Sequence, residues 1–369
     1  MLKRILVASL LLPFLPSNAL AEPPPAYDWA NALTLESVTN LDGGVAEGTR
    51  TLANLDLSLA IDTQAAGWWN NGNVFIYVLG NYGKAPSDLT GDLQTISNIQ
   101  TDNNLKLYEF WYEHSFAGGS VKLLAGLHDY NSTFYSLESA GLFTTSSFGI
   151  GAEVAQVGPS IFSTTSAAVQ LTLAGEHQYL LLATYDGIAG DPDHRRGTHI
   201  KFKKSDGLFN AIEWGVQYER SYKLAVGAWQ HTAEVENPID GTISDSNSGF
   251  YLIGEKYFTE NLVAFFQYGQ ADADKNQLDS YLGAGVTLSN AWVEDDAIGL
   301  AYASVENGSP FLRMNVDVLS KENIVELSYL CPVTSAVSVQ TSLYAIDNPS
   351  MSPELDNALA FGLRAYIEF

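Results

Sequence analysis

The sequence predicts an all-β fold, a transmembrane antiparallel up-and-down β-barrel of 16 strands with short turns at one rim and long loops at the other. Three observations predict it. The chain opens on a secretory signal and afterwards contains no run long enough for a spanning helix. Strand-length segments of alternating apolar and polar residues then follow one another throughout. The final segment, ALAFGLRAYIEF (358–369), sets Leu359, Phe361, Leu363, Ala365, Ile367 and Phe369 on one side, and Ala360, Gly362, Arg364, Tyr366 and Glu368 on the other. That is the period of a strand with one apolar face.

The signal reads as Lys3 and Arg4, the apolar run ILVASLLLPFLP, and NALA, with Ala19 and Ala21 at the small-residue positions of a cleavage site. A cut after Ala21 is expected. Pro13 and Pro16 break the run, which is shorter than the roughly 20 residues a spanning helix needs. The expected organisation is a signal peptide at 1–21, a periplasmic N-terminal lead-in at 22–32 that includes EPPPAYDW, and one barrel domain at 33–369. Later apolar runs such as LLLA and LVAFF are strand-sized, and only helices and closed barrels satisfy the backbone in lipid. Cys331 has no partner cysteine, so no disulfide framework is expected; it sits beside Pro332 at an expected turn. A formal net charge of −24 argues against a nucleic-acid partner.

Polar, Gly-rich breaks delimit strands near 33–40, 52–62, 72–80, 105–115, 120–130, 165–174, 177–185 and 210–220. They continue near 222–232, 248–257, 262–271, 280–289, 296–304, 322–331, 336–346 and 358–369. The count is even, as a bacterial barrel requires. Connection lengths test the order. AGGS (117–120), AGEH (174–177), RSY (220–222), FTEN (258–261) and CPVTSA (331–336) fall at every second connection, with long segments at 81–104, 131–164, 186–209, 233–247, 305–321 and 347–357. THIKFKKS (198–205) is strand-like by itself, but counting it as wall makes the total odd, so it belongs to a loop, as part of a small hairpin. The turns 63–71 and 290–295 carry Trp68, Trp69 and Trp292, residues suited to a membrane boundary.

Strand faces agree with a barrel. In NAIEWGVQYE, Ile212, Trp214, Val216 and Tyr218 alternate with Glu213, Gly215, Gln217 and Glu219; in LANLDLSLAID, Leu55, Leu57, Leu59 and Ile61 alternate with Asn54, Asp56, Ser58 and Asp62. A row of carboxylates is costly in a dry core and tolerated in a wet lumen. A two-sheet sandwich also accommodates such rows on its solvent side; the signal, the strand parity and the terminal Phe369 decide for the barrel. In LYEFWYEH, alternation puts Leu107, Glu109, Trp111 and Glu113 inward, and Tyr108, Phe110 and Tyr112 toward lipid.

LYEFWYEHSFAGGSVKLLAGLHDYNSTFYSLESAGLFTTSSFG (107–149) resembles the carbohydrate-selective porin family of the OprB type, in which such a strand turns into a G-x-x-D-x-N-x-x-F strand and then a long loop. TYDGIAGDP (184–192), FFQYGQADADKN (265–276), NIVELSYLCPVTSAVSVQTSLYAIDNP (323–349) and GLRAYIEF are similar to further blocks of that family, in the same order. The resemblance implies a 16-stranded barrel, integral to the outer membrane of a Gram-negative bacterium, that passes sugars by diffusion. The chain departs from the pattern at Gln267, where many members carry Arg.

The expected function is therefore an outer-membrane porin for small hydrophilic solutes, carbohydrates foremost, with loop 131–164 narrowing a water-filled lumen. The expected pore-lining residues are Asp56, Glu109, Trp111, Glu113, Glu213, Gln217, Gln267, Glu326, Gln340 and Arg364. Among them Glu109 and Trp111 suit a sugar-handling surface: a carboxylate accepts from hydroxyls, and an indole covers the C–H side of a pyranose. A competing reading has Trp111 packing under the loop and Glu109 balancing Arg364. Expected partners are sugars, outer-membrane lipid and, through Phe369, the barrel-assembly machinery; a homo-oligomer is compatible with the sequence. Two other functions compete: a general cation-preferring porin, and a secreted soluble β-sandwich that binds carbohydrate.

No enzyme is expected. The sequence holds neither a G-x-S-x-G elbow nor H-E-x-x-H. Its six histidines are scattered without metal-ligand spacing, so no catalytic residue, metal or cofactor is assigned. DADKN (272–276) starts like a calcium loop, but Gln277 and Gly283 stand where the turn Gly and the bidentate Glu belong. DHRRGTHIKFKK (193–204) gathers Arg195, Arg196, Lys201, Lys203 and Lys204, either as an electropositive vestibule or as an ordinary exposed loop.

Overall fold

The computed structural model describes residues 25–244 and 246–369; the signal peptide and its cleavage site lie outside them. Eighteen strands are present among the described residues. They are β1 (Tyr27–Gly44), β2 (Gly48–Asp62), β3 (Gly72–Gly83), β4 (Asn104–Phe116), β5 (Val121–His128), β6 (Ser166–Ala174), β7 (Gln178–Asp186), β8 (Leu208–Tyr218) and β9 (Tyr222–His231). The rest are β10 (Val235–Glu236), β11 (Ile243–Ser244), β12 (Asn247–Tyr257), β13 (Leu262–Ala271), β14 (Leu278–Ser289), β15 (Ala297–Asn307), β16 (Lys321–Pro332), β17 (Val337–Asp347) and β18 (Asp356–Glu368). All but β10 and β11 form one closed sheet in chain order, with β1 pairing β18. The wall thus has 16 strands, each antiparallel to its neighbours. Because the sheet closes on itself, the soluble β-sandwich alternative is overturned. No helix among the described residues is long and apolar enough to cross a membrane.

Alternation decides which way each side chain points. On β8, Ile212 and Trp214 are 44% and 45% exposed, whereas Glu213 between them is fully buried. On β18, Leu359, Phe361 and Leu363 face out while Ala360 and Arg364 are buried inside. An apolar exterior around a polar interior is the solution for a barrel whose solvent outside is hydrocarbon. At the short-turn rim, Trp29, Trp68, Trp69, Phe116, Phe258 and Trp292 are all well exposed. They form the aromatic belt expected at a membrane boundary. Trp69 donates through Nε1 to the Tyr112 hydroxyl at 2.7 Å.

Four details differ from the sequence reading. β1 starts at Tyr27 and pairs with β2 from there, so residues 27–32 of the expected lead-in are wall. The small hairpin is β10–β11, inside 233–247 and not at 198–205. In THIKFKKS, Lys201 pairs with the carboxylates of Asp191 and Asp193 instead of joining a ladder. β16 runs on through Cys331 and Pro332, which pair with Val339 and Ser338, where a turn was expected.

The fourth difference lies on β4, where Tyr77 of β3 pairs with Glu109 but Val78 pairs with Leu107, leaving Tyr108 as an extra residue. Such a bulge shifts the alternation by one. Tyr108, expected to face lipid, is buried inside, and its hydroxyl donates to Asp129 Oδ2 at 2.5 Å. Phe110, beyond the bulge, is half-exposed on the outside.

Candidate functional site: the inner face and its infolded loops

Two of the long loops fold into the lumen. The β3–β4 loop contains the short helix α1 (Ser87–Thr90). The β5–β6 loop contains three 3₁₀ turns and α2 (Ala152–Ala155). Its Tyr130, Phe134, Tyr135, Leu142, Phe143, Phe148 and Val154 are buried against inward residues from β6 round to β16, among them Tyr185, Phe209, Trp229, Tyr251, Phe265 and Leu330. The first loop contributes Ile96 to a smaller cluster with Val38, Ile324, Tyr344, Ile346 and Ala360. Apolar packing of this kind fixes a loop inside a barrel that would otherwise be wet. Strands β2 to β4 contribute no residue to either cluster.

Loop backbone buried in a lumen needs hydrogen-bond partners, and the wall supplies them. Glu326 accepts from the Thr144 and Thr145 N–H groups at 2.8 and 2.9 Å and from both threonine hydroxyls. Glu213 accepts from the Tyr135 N–H at 2.9 Å while the Tyr179 and Tyr251 hydroxyls donate to it at 2.7 Å each. Gln267 and Gln340 donate to the carbonyls of Phe148 and Leu142 at 2.8 and 2.7 Å. Arg364 is paired with Glu36 at 2.9 Å and donates to Asn98 Oδ1 of the first loop at 2.9 Å. The pairing of Arg364 with Glu36 removes the competing role in which Glu109 balanced it.

Sequence reasoning missed several members of this set. Glu255 accepts from the Ser139 N–H and hydroxyl at 3.0 and 2.7 Å. Glu322 accepts from the N–H groups of Leu93, Gln94 and Ser350. Lys223 donates to the Ser136 carbonyl at 2.6 Å. Period-two alternation on β12, β16 and β9 marks all three as inward; apart from Ser350, the loop atoms they meet lie more than 80 residues away and leave no local sign.

Glycine opens the space that one contact requires. Tyr251 lies opposite Gly227 in the ladder, and a Cβ on Gly227 would sit 2.0 Å from its ring. The bare backbone lets the phenol cross to Glu213.

The remaining candidate residues sit away from the loop core. Asp56, half-buried, accepts from Asn54 Nδ2 at 2.7 Å and from the Tyr77 hydroxyl. Asn81 then bonds Asn54 at 2.6 Å and Asn104 bonds Asn81 at 3.0 Å, so a polar ladder climbs β2 to β4. Glu109 and Trp111 come together: the indole Nε1 donates to Glu109 Oε2 at 3.0 Å, and the Asp129 N–H donates to the same oxygen at 3.2 Å. The half-buried indole stacks on Phe75 with ring centres 5.1 Å apart. Glu113 pairs with Lys122 at 3.2 Å. Gln217 is exposed near the β8–β9 turn, opposite Lys223 in register. The ten candidates therefore do not converge on one point; five are loop supports, four form a polar face on β2–β5, and Gln217 stands apart near the β8–β9 turn.

In the outer loops, Lys275 lies 3.9 Å from the Asp272 carboxylate, a cation where a calcium ligand set would need none. Arg195, Arg196, Lys203 and Lys204 are exposed.

The fold is shared with solved channels. The high-pH structure of Pseudomonas putida OprB superimposes with a TM-score of 0.81 at 18% identity, covering 93% of this chain and 94% of that one. The outer membrane channel DcaP of Acinetobacter baumannii gives 0.60 at 9% identity over 93% and 97% of the two chains. A mutant of the Rhodopseudomonas blastica porin gives 0.57 at 11% over 93% and 100%. No curated protein matches the sequence. A family model described as carbohydrate-selective porin, OprB family, matches residues 46–369, nearly the whole barrel, and the chain accordingly belongs to that family of outer-membrane sugar channels.

Proposed function

We propose that sugars cross this outer-membrane channel along the inner face of β2–β5, past Asp56, Trp111 and Glu113, with the β5–β6 loop setting the width of the passage. The observation that carries the reading is the division of the inner wall. Between β6 and β1, Glu213, Glu255, Gln267, Glu322, Glu326 and Gln340 are occupied by loop backbone, Glu36 and Arg364 by each other and by loop side chains, and inward apolar residues by loop side chains. On β2–β5 a half-buried carboxylate, an ion pair and a stacked indole stay clear of those clusters. Glu109 fixes the indole by its Nε1, so Trp111 presents a fixed apolar plate beside hydrogen-bonding groups. Such a pairing holds a pyranose weakly enough to release it, as conduction requires.

Passage so described needs no bond to be made or broken. A general cation-preferring channel fits less well, because Glu36, Glu213, Glu255, Glu322 and Glu326 have their charge met by N–H groups, hydroxyls or Arg364 and offer little field to a passing ion. We also assign recognition by the assembly machinery to β18, the strand that closes the wall against β1. Single-channel recording in planar bilayers with a panel of sugars tests the proposed path. Trp111→Ala should weaken sugar-induced current block while leaving ion selectivity in place, and Glu109→Gln should weaken it less. A changed ion selectivity with unchanged sugar block in both variants refutes the path.

A further inference from the structure

We infer that Asp191, His194 and His199, in the β7–β8 loop at the outer mouth, form a binding site for one divalent transition-metal ion, zinc foremost. The two histidines, scattered in sequence terms, converge in space. Nδ1 of His194 and Nδ1 of His199 lie 3.1 and 2.8 Å from the same carboxylate oxygen, Oδ2 of Asp191. The three ligand atoms all fall within 4.8 Å of one another, and the rings stand 4.3 Å apart between centres. Zinc with ligands at 2.0–2.1 Å in a tetrahedron separates neighbouring ligand atoms by about 3.3 Å. Opening the two Asp–His separations by a few tenths of an ångström reaches that spacing.

The other half of the carboxylate is already held. Oδ1 of Asp191 accepts from the Asp193 N–H at 3.0 Å and from Lys201 Nζ at 3.3 Å. These bonds aim Oδ2 at the imidazoles, the outer-shell support that ligating carboxylates characteristically have. The Asp191 side chain is 1% exposed, but the rings are 61% and 50% exposed, so the site is anchored at its base and open to solvent at its top. Three protein ligands leave a fourth position for water. Two imidazoles with one carboxylate select zinc, copper or nickel over calcium or magnesium, which take oxygen ligands.

The cluster lies on a docked segment. Lys106 Nζ donates to the Arg195 carbonyl at 2.9 Å, and the Thr198 hydroxyl donates to the Leu107 carbonyl at 2.7 Å. Both contacts hold the loop to the outer end of β4, between the two histidines in sequence. An ion bound by His194 and His199 therefore closes the loop over that strand and fixes the mouth. None of the three ligands is among Asp56, Trp111 and Glu113, the residues of the proposed sugar path.

The test is calorimetric titration of zinc chloride into untagged, chelator-treated protein in detergent. One zinc per chain is expected. His194→Ala and His199→Ala, both at exposed rings, should each weaken binding roughly tenfold or more, with heat-modifiable gel migration unchanged. Lys201→Met should weaken binding less than either histidine change, because it removes one outer-shell support and leaves the Asp193 N–H holding Oδ1. Absence of stoichiometric binding, or binding unaffected by both histidine changes, overturns the assignment. So does equal weakening by Lys201→Met and the histidine variants, which would mark collapse of the loop.

Discussion

Glu326 and Thr144, 182 residues apart in sequence, meet through two hydrogen bonds on a single carboxylate oxygen, from the threonine N–H at 2.8 Å and its hydroxyl at 3.1 Å. The second oxygen repeats the arrangement with Thr145 at 2.9 and 2.7 Å. One wall carboxylate thus satisfies two consecutive loop amides that would otherwise be buried without partners. Hydrogen bonds to a charged group are worth about 1.5–3 kcal/mol each, so this residue is a principal fastening of the constriction loop.

Glu326→Ala should free that part of the loop. Single-channel current should then become larger and noisier, and protease should cut the loop faster in intact membranes. Glu326→Gln keeps one acceptor oxygen and should fall between. Quiet, wild-type conductance in the alanine variant would show that apolar packing holds the loop without this carboxylate.

Facing can be tested on one hairpin. Val226 projects outward from the middle of β9 and is 45% exposed. Val226→Arg should impair membrane insertion, at a cost of about 2–4 kcal/mol if the site lies near the midplane. Gln217→Arg, on the inner face near the β8–β9 turn, should insert normally and shift ion selectivity toward anions. Equal insertion yields for the two variants would contradict the register.

The strand wall was legible because a barrel strand has a strict period of two, and sequence alone places all sixteen in order. Alternation also carries past the candidates chosen: Glu36, Glu255 and Glu322 follow the same rule as Glu213 and Glu326. It fails at Tyr108, since a bulge adds a residue without changing composition. Nor does it say what an inward residue meets. Glu213 reads as a lumen acid, yet Tyr135 of the loop and Tyr179 and Tyr251 of the wall enclose it. Asp191, His194 and His199 were illegible for a different reason. Their convergence comes from irregular backbone in an outer loop, where no periodicity maps sequence onto space.

Gly227→Val tests the close approach of Tyr251. The new side chain would displace the phenol from Glu213, an overpacking that costs about 1–3 kcal/mol. The unfolding temperature should fall. Tyr251→Phe, which keeps the ring and loses only the hydroxyl, should fall less. A Gly227→Val protein as stable as wild type would mean that the ring has room to move aside.

Glu153 on α2 gives the channel a pH dependence of definite sign. Its Oε1 accepts from the Tyr135 hydroxyl at 3.2 Å, while Oε2 is buried without a partner. The side chain presses on Gly269, where a Cβ would lie on top of it, so no wall side chain offsets its charge there. Burial pushes its carboxyl up to about 8, against an ordinary value of 4.5, with hydrogen bonds from Tyr135 and the α2 backbone only partly opposing the shift. Between those two values the unfolded chain ionises and the folded one does not, so stability falls as pH rises and levels off once the pH exceeds about 8. Glu153→Gln is neutral at every pH and removes this slope. The variant should match wild type in thermal unfolding at pH 4, exceed it increasingly toward pH 8, and keep a constant advantage above. Ionisation at high pH should also loosen α2 from β13, so wild-type conductance should rise on the alkaline side while that of Glu153→Gln stays flat. A stability difference that shrinks with rising pH would require Glu153 to be ionised inside the folded barrel, with a counter-charge other than the groups found around it.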